Sequence, residues 1–273
     1  MINLLRKYLP LKFKHYVHVI EKCIQFEHLK SLRFINFDQI EIEAFYKKLQ
    51  PFESGFPLKR VGGKGDGGYL IPDMEIQWDA IISPGVGGSI AFESEVANQD
   101  TAVFLIDATV MPPRDLPRNF HFISKMLRSG NDDADSINLQ ELINDSRIKG
   151  KNLLLQMDIE GGEWEILSDA SAEILKKFMM IVVELHNLEH LKEGQSFAGL
   201  NSALDKLLKY HFVTHVHANN AGSFYFHRFK RYPKVVEVTL VRETDFKRGN
   251  ISEIPHELDK PSDQQIYNWK FSV

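Results

Sequence analysis

The chain has 273 residues, 43% hydrophobic and 26% charged, the balance of a soluble globular protein and enough for one large α/β domain with additions, not two. A formal net charge of −4 gives no electrostatic case for nucleic acid as a partner, and a single cysteine, Cys23, excludes an intrachain disulfide. Only Ile2 to Leu5 precede Arg6 and Lys7, too short for a signal-peptide core. No later apolar run reaches membrane-spanning length, so a cytoplasmic protein is expected.

Residues 1–50 carry apolar positions at helical spacing, first Tyr16, Val19, Ile20, Cys23 and Ile24, then Phe37, Ile40, Ile42 and Phe45. Arg6, Lys7, Lys12, Lys14 and Lys22 among the first apolar residues would suit peripheral contact with a membrane surface. Pro10 interrupts that pattern, and a packing helix with a solvated basic face is the plainer account. With Pro51 and Pro57 marking a loop, residues 1–57 read as an N-terminal helical extension and 58–273 as the catalytic domain.

The stretch from Lys59 to Tyr69 holds five glycines in eleven residues. That density suits close backbone approach to a ligand, with Arg60 and Lys64 available for a carboxylate or phosphate; the alternative is a turn between two short strands. Asp79–Ser83 reads as a buried strand, Pro84–Ser89 as a glycine turn, and Ile90–Asn98 as a helix with Phe92 and Val96 facing inward. The next strand, Ala102–Ile106, ends in Asp107. An acid at the second strand tip, about 20 residues after a glycine turn, is the expected partner of ribose hydroxyls.

Asn119–Ile123 reads as a third strand, Asn131–Asp135 as an acidic surface loop and Leu139–Ile143 as a helix. The fourth strand, Leu153–Met157, is apolar on both faces and stops at Asp158, Glu160, Gly161, Gly162 and Glu163. In an open parallel sheet ligands bind beyond the carboxyl ends of strands, so Asp158 and Glu160 are placed for chemistry. Glu163 and Glu165 suit the N-terminal end of the following helix. Met179–Leu185 is a further apolar strand, tipped by Glu184, His186 and Asn187, and a helix with Leu200, Leu204, Leu207 and Leu208 follows. Phe212–Asn220 reads as an alternating strand and Val235–Val241 as another. Between them Gly222–Pro233 reads as a long loop whose Tyr225, Phe226, Arg228, Lys230 and Arg231 would suit an anionic or sugar substrate. The tail, with Pro255 and Pro261, reads as irregular surface chain.

Six of the eleven histidines lie between His186 and His227. A histidine beside Asp158 suits a general base, since its ordinary pKa of about 6.5 lies near working pH. His186 and His217 are the candidates, with Glu184 and Asp158 orienting base or acceptor, and His215 reads as structural. The same imidazole and carboxylates could hold a divalent ion, but no HExxH or cysteine cluster supports a zinc site, and the base reading ranks above the metal one. G-x-S-x-G and the P-loop are both absent, which leaves an NAD-dependent oxidoreductase or a transferase with an adenosyl cofactor.

The segment MDIEGGEWEIL resembles the D-[IV]-E-G-x-E signature of FkbM-type methyltransferases. The resemblance extends to GKGDGGYLIPD, SPGVGGSIAFE, FLIDATV, IVVELH and HVHANN followed by VVEVTLV, covering roughly Arg60 to Val241. It implies an S-adenosylmethionine-dependent enzyme with a doubly wound, Rossmann-like class I sheet of seven strands, the last antiparallel. On that pattern Gly85 and Gly87 pack against the cofactor, Asp107 takes its ribose, and Asp66, Gly67, Gly68 and Tyr69 lie over its methionine end, with Arg60 beside them. Asp158 and Glu160 then face the transferred methyl group or the acceptor. Pro84 and Val86 stand where many methyltransferases have an acid and a small residue. The family typically methylates sugar hydroxyls of surface glycans or secondary metabolites, so a glycan-precursor hydroxyl is the expected acceptor and an amine on a small phosphorylated metabolite the alternative.

Overall fold

A computed structural model describes residues 35–130, 134–148, 150–228 and 230–265. The basic N-terminal segment with Arg6 to Lys22, Cys23, the acids Asp132 and Asp133, and Lys149 lie outside the described residues. The chain divides into two compact units, Met1–Ala44 and Phe45–Val273. Helix α1 (Ile35–Lys47) runs across the division. Ile42, Phe45, Tyr46 and Leu49 are buried at helical spacing, whereas Ile40 is 63% exposed and lies off that stripe.

The second unit is built on a seven-stranded sheet of β3 (Ala80–Pro84), β4 (Ala102–Ile106), β5 (Phe120–Ile123), β8 (Leu153–Met157), β9 (Phe178–Leu185), β10 (His211–Ala218) and β13 (Val236–Arg242). Their order is β10-β13-β9-β8-β3-β4-β5, with β6 (Met126–Leu127) and β7 (Ser136–Ile137) forming a separate parallel pair. β3 pairs in parallel with β4 and β8, β4 with β5, and β8 with β9. The last strand, β13, is antiparallel to both β9 and β10. Sequence dictates the centre directly: AIISP, AVFLI and LLLQM are short apolar runs, as strands covered on both faces require, and nearly every residue in them is buried. The polar exceptions satisfy one another, since the Ser83 hydroxyl lies 2.5 Å from Glu93 Oε1 and 2.7 Å from Gln156 Oε1. β10 is the edge strand of the sheet, yet it is buried at every position rather than alternating as expected.

The winding places the site. From β3 the chain moves outward through β4 and β5, then returns to β8 on the other side of β3. The tips of β3 and β8 therefore diverge at a switch in strand order, where an open sheet leaves a crevice. Helix α2 (Ala91–Val96) follows the β3 turn with Phe92 buried and Val96 only partly so.

One segment takes the alternative the sequence offered, and two depart from its reading. Lys59–Tyr69 lies in an antiparallel hairpin, β1 (Leu58–Gly62) with β2 (Gly68–Pro72), whose Leu70 carbonyl accepts the Thr239 hydroxyl at 2.7 Å. Gly222–Pro233 is no loop but a second hairpin, β11 (Phe224–His227) with β12 (Lys230–Pro233). Its Tyr232 stacks between Tyr46 and Tyr225, with ring centroids 5.0 and 5.5 Å apart. The tail is also docked: Asp259 lies 2.8 Å from His215 Nε2, and Asn220 and Asp263 exchange two hydrogen bonds of 2.8 and 2.9 Å. The carbonyl of Ser262 in this tail accepts the Asp66 N–H at 3.2 Å.

Candidate active site

A cavity of about 530 Å³ opens at the switch in strand order, lined by Asp66, Gly85, Gly87, Asp107, Thr109, Lys125, Arg128, Asp158, Glu160 and Ile166 among others. A larger cavity of about 670 Å³, lined by residues such as Phe52, Phe56, Thr214 and His256, contains none of the expected site residues. The expected site residues gather at the smaller one.

Gly85 brings its two walls together. Its φ is +84°, and a Cβ there would lie 1.6 Å from the Asp158 carbonyl oxygen, so only glycine lets the β3 turn pass under the β8 tip. The Asp158 N–H closes the junction by donating to the Pro84 carbonyl at 3.1 Å. On the β4 side, Asp107 accepts from the Thr109 N–H at 2.7 Å, the Thr109 hydroxyl at 2.6 Å and the Gly87 N–H at 3.3 Å. Burial opposes its charge, but these donors prevail and hold the carboxyl below the ordinary aspartate range. It is an ionised acceptor fixed at the cavity wall.

Opposite stands an imidazole among carboxylates. His186, just past β9, has Nε2 3.4 Å from Glu160 Oε2, 3.8 Å from Asp158 Oδ1 and 4.0 Å from Glu184 Oε2. Its Nδ1 lies 3.1 Å from Glu163 Oε1. Glu163 is fully buried at the start of helix α4 (Glu163–Asp169), which follows α3 (Leu139–Ile143) in the chain, and the same oxygen accepts the Ile159 and Gly161 N–H groups at 3.0 and 3.1 Å. One carboxylate thereby folds the loop that carries Asp158 and Glu160 and orients the ring that faces them. The loop bends through left-handed backbone at Glu160 (φ +57°) and Gly161 (φ +115°). A Cβ at Gly161 would lie 2.3 Å from Asn187 Nδ2. Trp164 Nε1 donates to the His186 carbonyl at 2.7 Å.

Crowding sets the electrostatics. Burial first, and then Glu160 and Glu163, push the Asp158 carboxyl well up, although His186 opposes them. Burial and the nearby Asp158 and Glu237 raise Glu184, whose oxygens accept the Tyr69 hydroxyl at 3.1 Å and Asn219 Nδ2 at 3.0 Å. Burial disfavours charge on His186, but the Glu163 bond and the surrounding acids outweigh it and raise its pKa. Glu163 itself is held below the usual range against burial by the same pairing.

Of the residues singled out from sequence, Asp66, Gly85, Gly87, Asp107, Asp158 and Glu160 line this one cavity. His186 and Glu184 adjoin it through the distances above, and Tyr69 reaches it through Glu184. Arg60 is turned to the hairpin, donating to the Gly63 and Gly65 carbonyls at 3.0 and 2.8 Å. Gly67 and Gly68 shape the same turn; a Cβ at Gly68 would lie 2.0 Å from the Gly63 carbonyl oxygen. His217 is not brought into the group, for its Nδ1 faces Glu237 at 3.3 Å. Sequence reasoning missed Glu163 as the anchor, along with Thr109, Asn219 and Trp164. The signal for Glu163 was its place five residues after Asp158 behind two glycines.

Residues 113–213 match the family described as the methyltransferase FkbM domain. The matched span contains Asp158, Glu160, Glu163, Glu184 and His186, while Gly85 and Asp107 precede it. No curated protein matches the chain. Among solved structures, the 16S rRNA (adenine(1408)-N(1))-methyltransferase W203A mutant from Catenulisporales acidiphilia is 13% identical with a TM-score of 0.31, over 68% of this chain and 97% of that one, a likeness too slight to bear on function. Of the two classes left open by the sequence, the match at residues 113–213 supports the methyltransferase.

Proposed function

We propose that the protein transfers the methyl group of S-adenosylmethionine to a hydroxyl of a sugar in a surface-glycan or secondary-metabolite precursor, on a doubly wound class I methyltransferase sheet. The observation that carries this reading is the single cavity bounded by Asp107 on one wall and Asp158 and Glu160 on the other. Its volume suits a ligand of nucleoside size with room for part of an acceptor. Asp107 would accept both ribose hydroxyls, and the glycine turn at Gly85 and Gly87 would let backbone approach the cofactor closely.

The sulfonium methyl is already activated, so the chain has to position the acceptor in line and take up one proton. The C–S bond breaks with its electron pair going to sulfur, a C–O bond forms, and S-adenosylhomocysteine leaves. The acceptor proton passes to the group formed by Asp158, Glu160 and His186. His217, turned to Glu237, is not needed for this.

Calorimetric titration with S-adenosylhomocysteine tests the cofactor. Asp107→Ala removes two charge-assisted hydrogen bonds worth about 1.5 kcal/mol or more each, so affinity should fall about 100-fold or further. Unchanged affinity in the variant, or binding of NAD(H) with none of S-adenosylhomocysteine, would overturn the reading. Sugar nucleotides and phosphorylated amines, assayed side by side for S-adenosylhomocysteine production, test the acceptor: turnover confined to the amines rules out O-methylation.

A further inference from the structure

One imidazole stands within 4.0 Å of four carboxylates, those of Asp158, Glu160, Glu163 and Glu184. Among the described residues none of the four pairs with a lysine or arginine; each faces this imidazole instead. Two buried oxygens in this group, Asp158 Oδ1 and Glu163 Oε2, have no hydrogen-bond donor. Glu163 is completely buried. Buried polar atoms are rarely left so, and an unmet pair at one site points to a missing cation or donor.

The arrangement of donors is that of a metal site. One ligand atom each from Asp158, Glu160 and His186 lie within 4.8 Å of one another. Around a divalent ion with bonds of about 2.0–2.2 Å, neighbouring ligand atoms stand roughly 3.0–3.5 Å apart. The His186 Nε2 separations of 3.4 Å to Glu160 and 3.8 Å to Asp158 reach that range with shifts of a few tenths of an ångström. His186 also carries the usual support of a ligating histidine: the Nδ1 bond to buried Glu163 fixes the ring with Nε2 toward the other two ligands. Glu163 holds the ligand loop through the N–H groups of Ile159 and Gly161, so ring and loop are set by one residue. A solvated acid patch would need neither the buried anchor nor the left-handed bend at Glu160.

We propose that Asp158, Glu160 and His186 bind one divalent cation of the class that accepts mixed imidazole and carboxylate ligands, such as Mn²⁺ or Zn²⁺. Three protein ligands leave coordination positions open toward the cavity. That such an ion holds the acceptor oxygen rests on the methyl-transfer reading above; the binding of the ion does not.

The test is calorimetry of the full chain, stripped with a chelator, titrated with Mn²⁺ and separately with Zn²⁺. One site per chain is expected, weakened roughly tenfold or more in Glu160→Gln and in His186→Ala. Glu160 has a side chain 86% exposed, so its variant tests the site without threatening the fold. Glu163→Gln should weaken the ion through the ring it orients. No binding of either ion, or binding undiminished in both Glu160→Gln and His186→Ala, overturns the proposal. The two readings fail separately: S-adenosylhomocysteine bound without metal removes the ion alone, and metal bound without S-adenosylhomocysteine removes the cofactor assignment alone.

Discussion

Glu163 offers the sharpest test of how the site is held. Its Oε1 accepts three donors, the Ile159 N–H, the Gly161 N–H and His186 Nδ1, at 3.0, 3.1 and 3.1 Å, and the side chain is fully buried. Glu163→Ala leaves those donors without a partner at about 1–3 kcal/mol each. Water entering from the adjoining cavity relieves part of this, so the expected loss is about 3–5 kcal/mol of folding stability. Glu163→Gln keeps an acceptor oxygen in place and loses only charge assistance, about 1–2 kcal/mol. If Glu163 served merely to complement the end of its helix, both substitutions would cost the same, about 0.3–1 kcal/mol. Urea unfolding followed by tryptophan fluorescence separates the cases. A loss below about 1 kcal/mol for the alanine variant, or equal losses for the two, refutes the anchoring role.

Other expectations follow from single features. Gly85→Ala puts a methyl 1.6 Å from the Asp158 carbonyl oxygen at φ +84°; left-handed strain alone costs about 1–2 kcal/mol, and the tips of β3 and β8 must also part. Thermal melts should show the destabilisation, and calorimetry a loss of S-adenosylhomocysteine binding; wild-type affinity would mean the junction is not needed. Asp259 is depressed despite burial because it pairs with His215. A carboxyl whose folded pKa lies below its unfolded value of about 3.9 contributes its full stability above that value and loses it as pH falls through the folded pKa. Urea midpoints of the wild type should therefore drop between pH 5 and the acid range, and those of Asp259→Asn should drop less; parallel curves would contradict the pairing.

How much was legible in the sequence depended on whether a residue's partner lay nearby in the chain. The runs at Ala102–Ile106 and Leu153–Met157 announce buried strands by themselves, and acids at their ends announce the crevice, so Asp107 and Asp158 could be found without a structure. The pairing of Glu163 with His186 could not, because the two are 23 residues apart and the contact depends on a left-handed bend at Glu160. The docking of Asp259 needs His215, 44 residues distant, so the tail read as loose surface. The hairpin Phe224–Pro233 was hidden for another reason: FYFH and KRYP lack the alternation by which a half-buried strand is recognised.

The position of β13 has a consequence for how the molecule is assembled. It is the last strand among the described residues, yet it lies inside the sheet, bonded to β9 on one side and β10 on the other. Until Val236–Arg242 is available, β10 has no attachment to the sheet and β9 presents an open edge. The parallel strands from β3 to β9 can pair earlier, but the sheet is joined into one piece only when this keystone arrives. A chain cut short before it would expose the buried, apolar residues of β9 as a docking edge for other chains, so protection from aggregation during synthesis waits on the arrival of these seven residues.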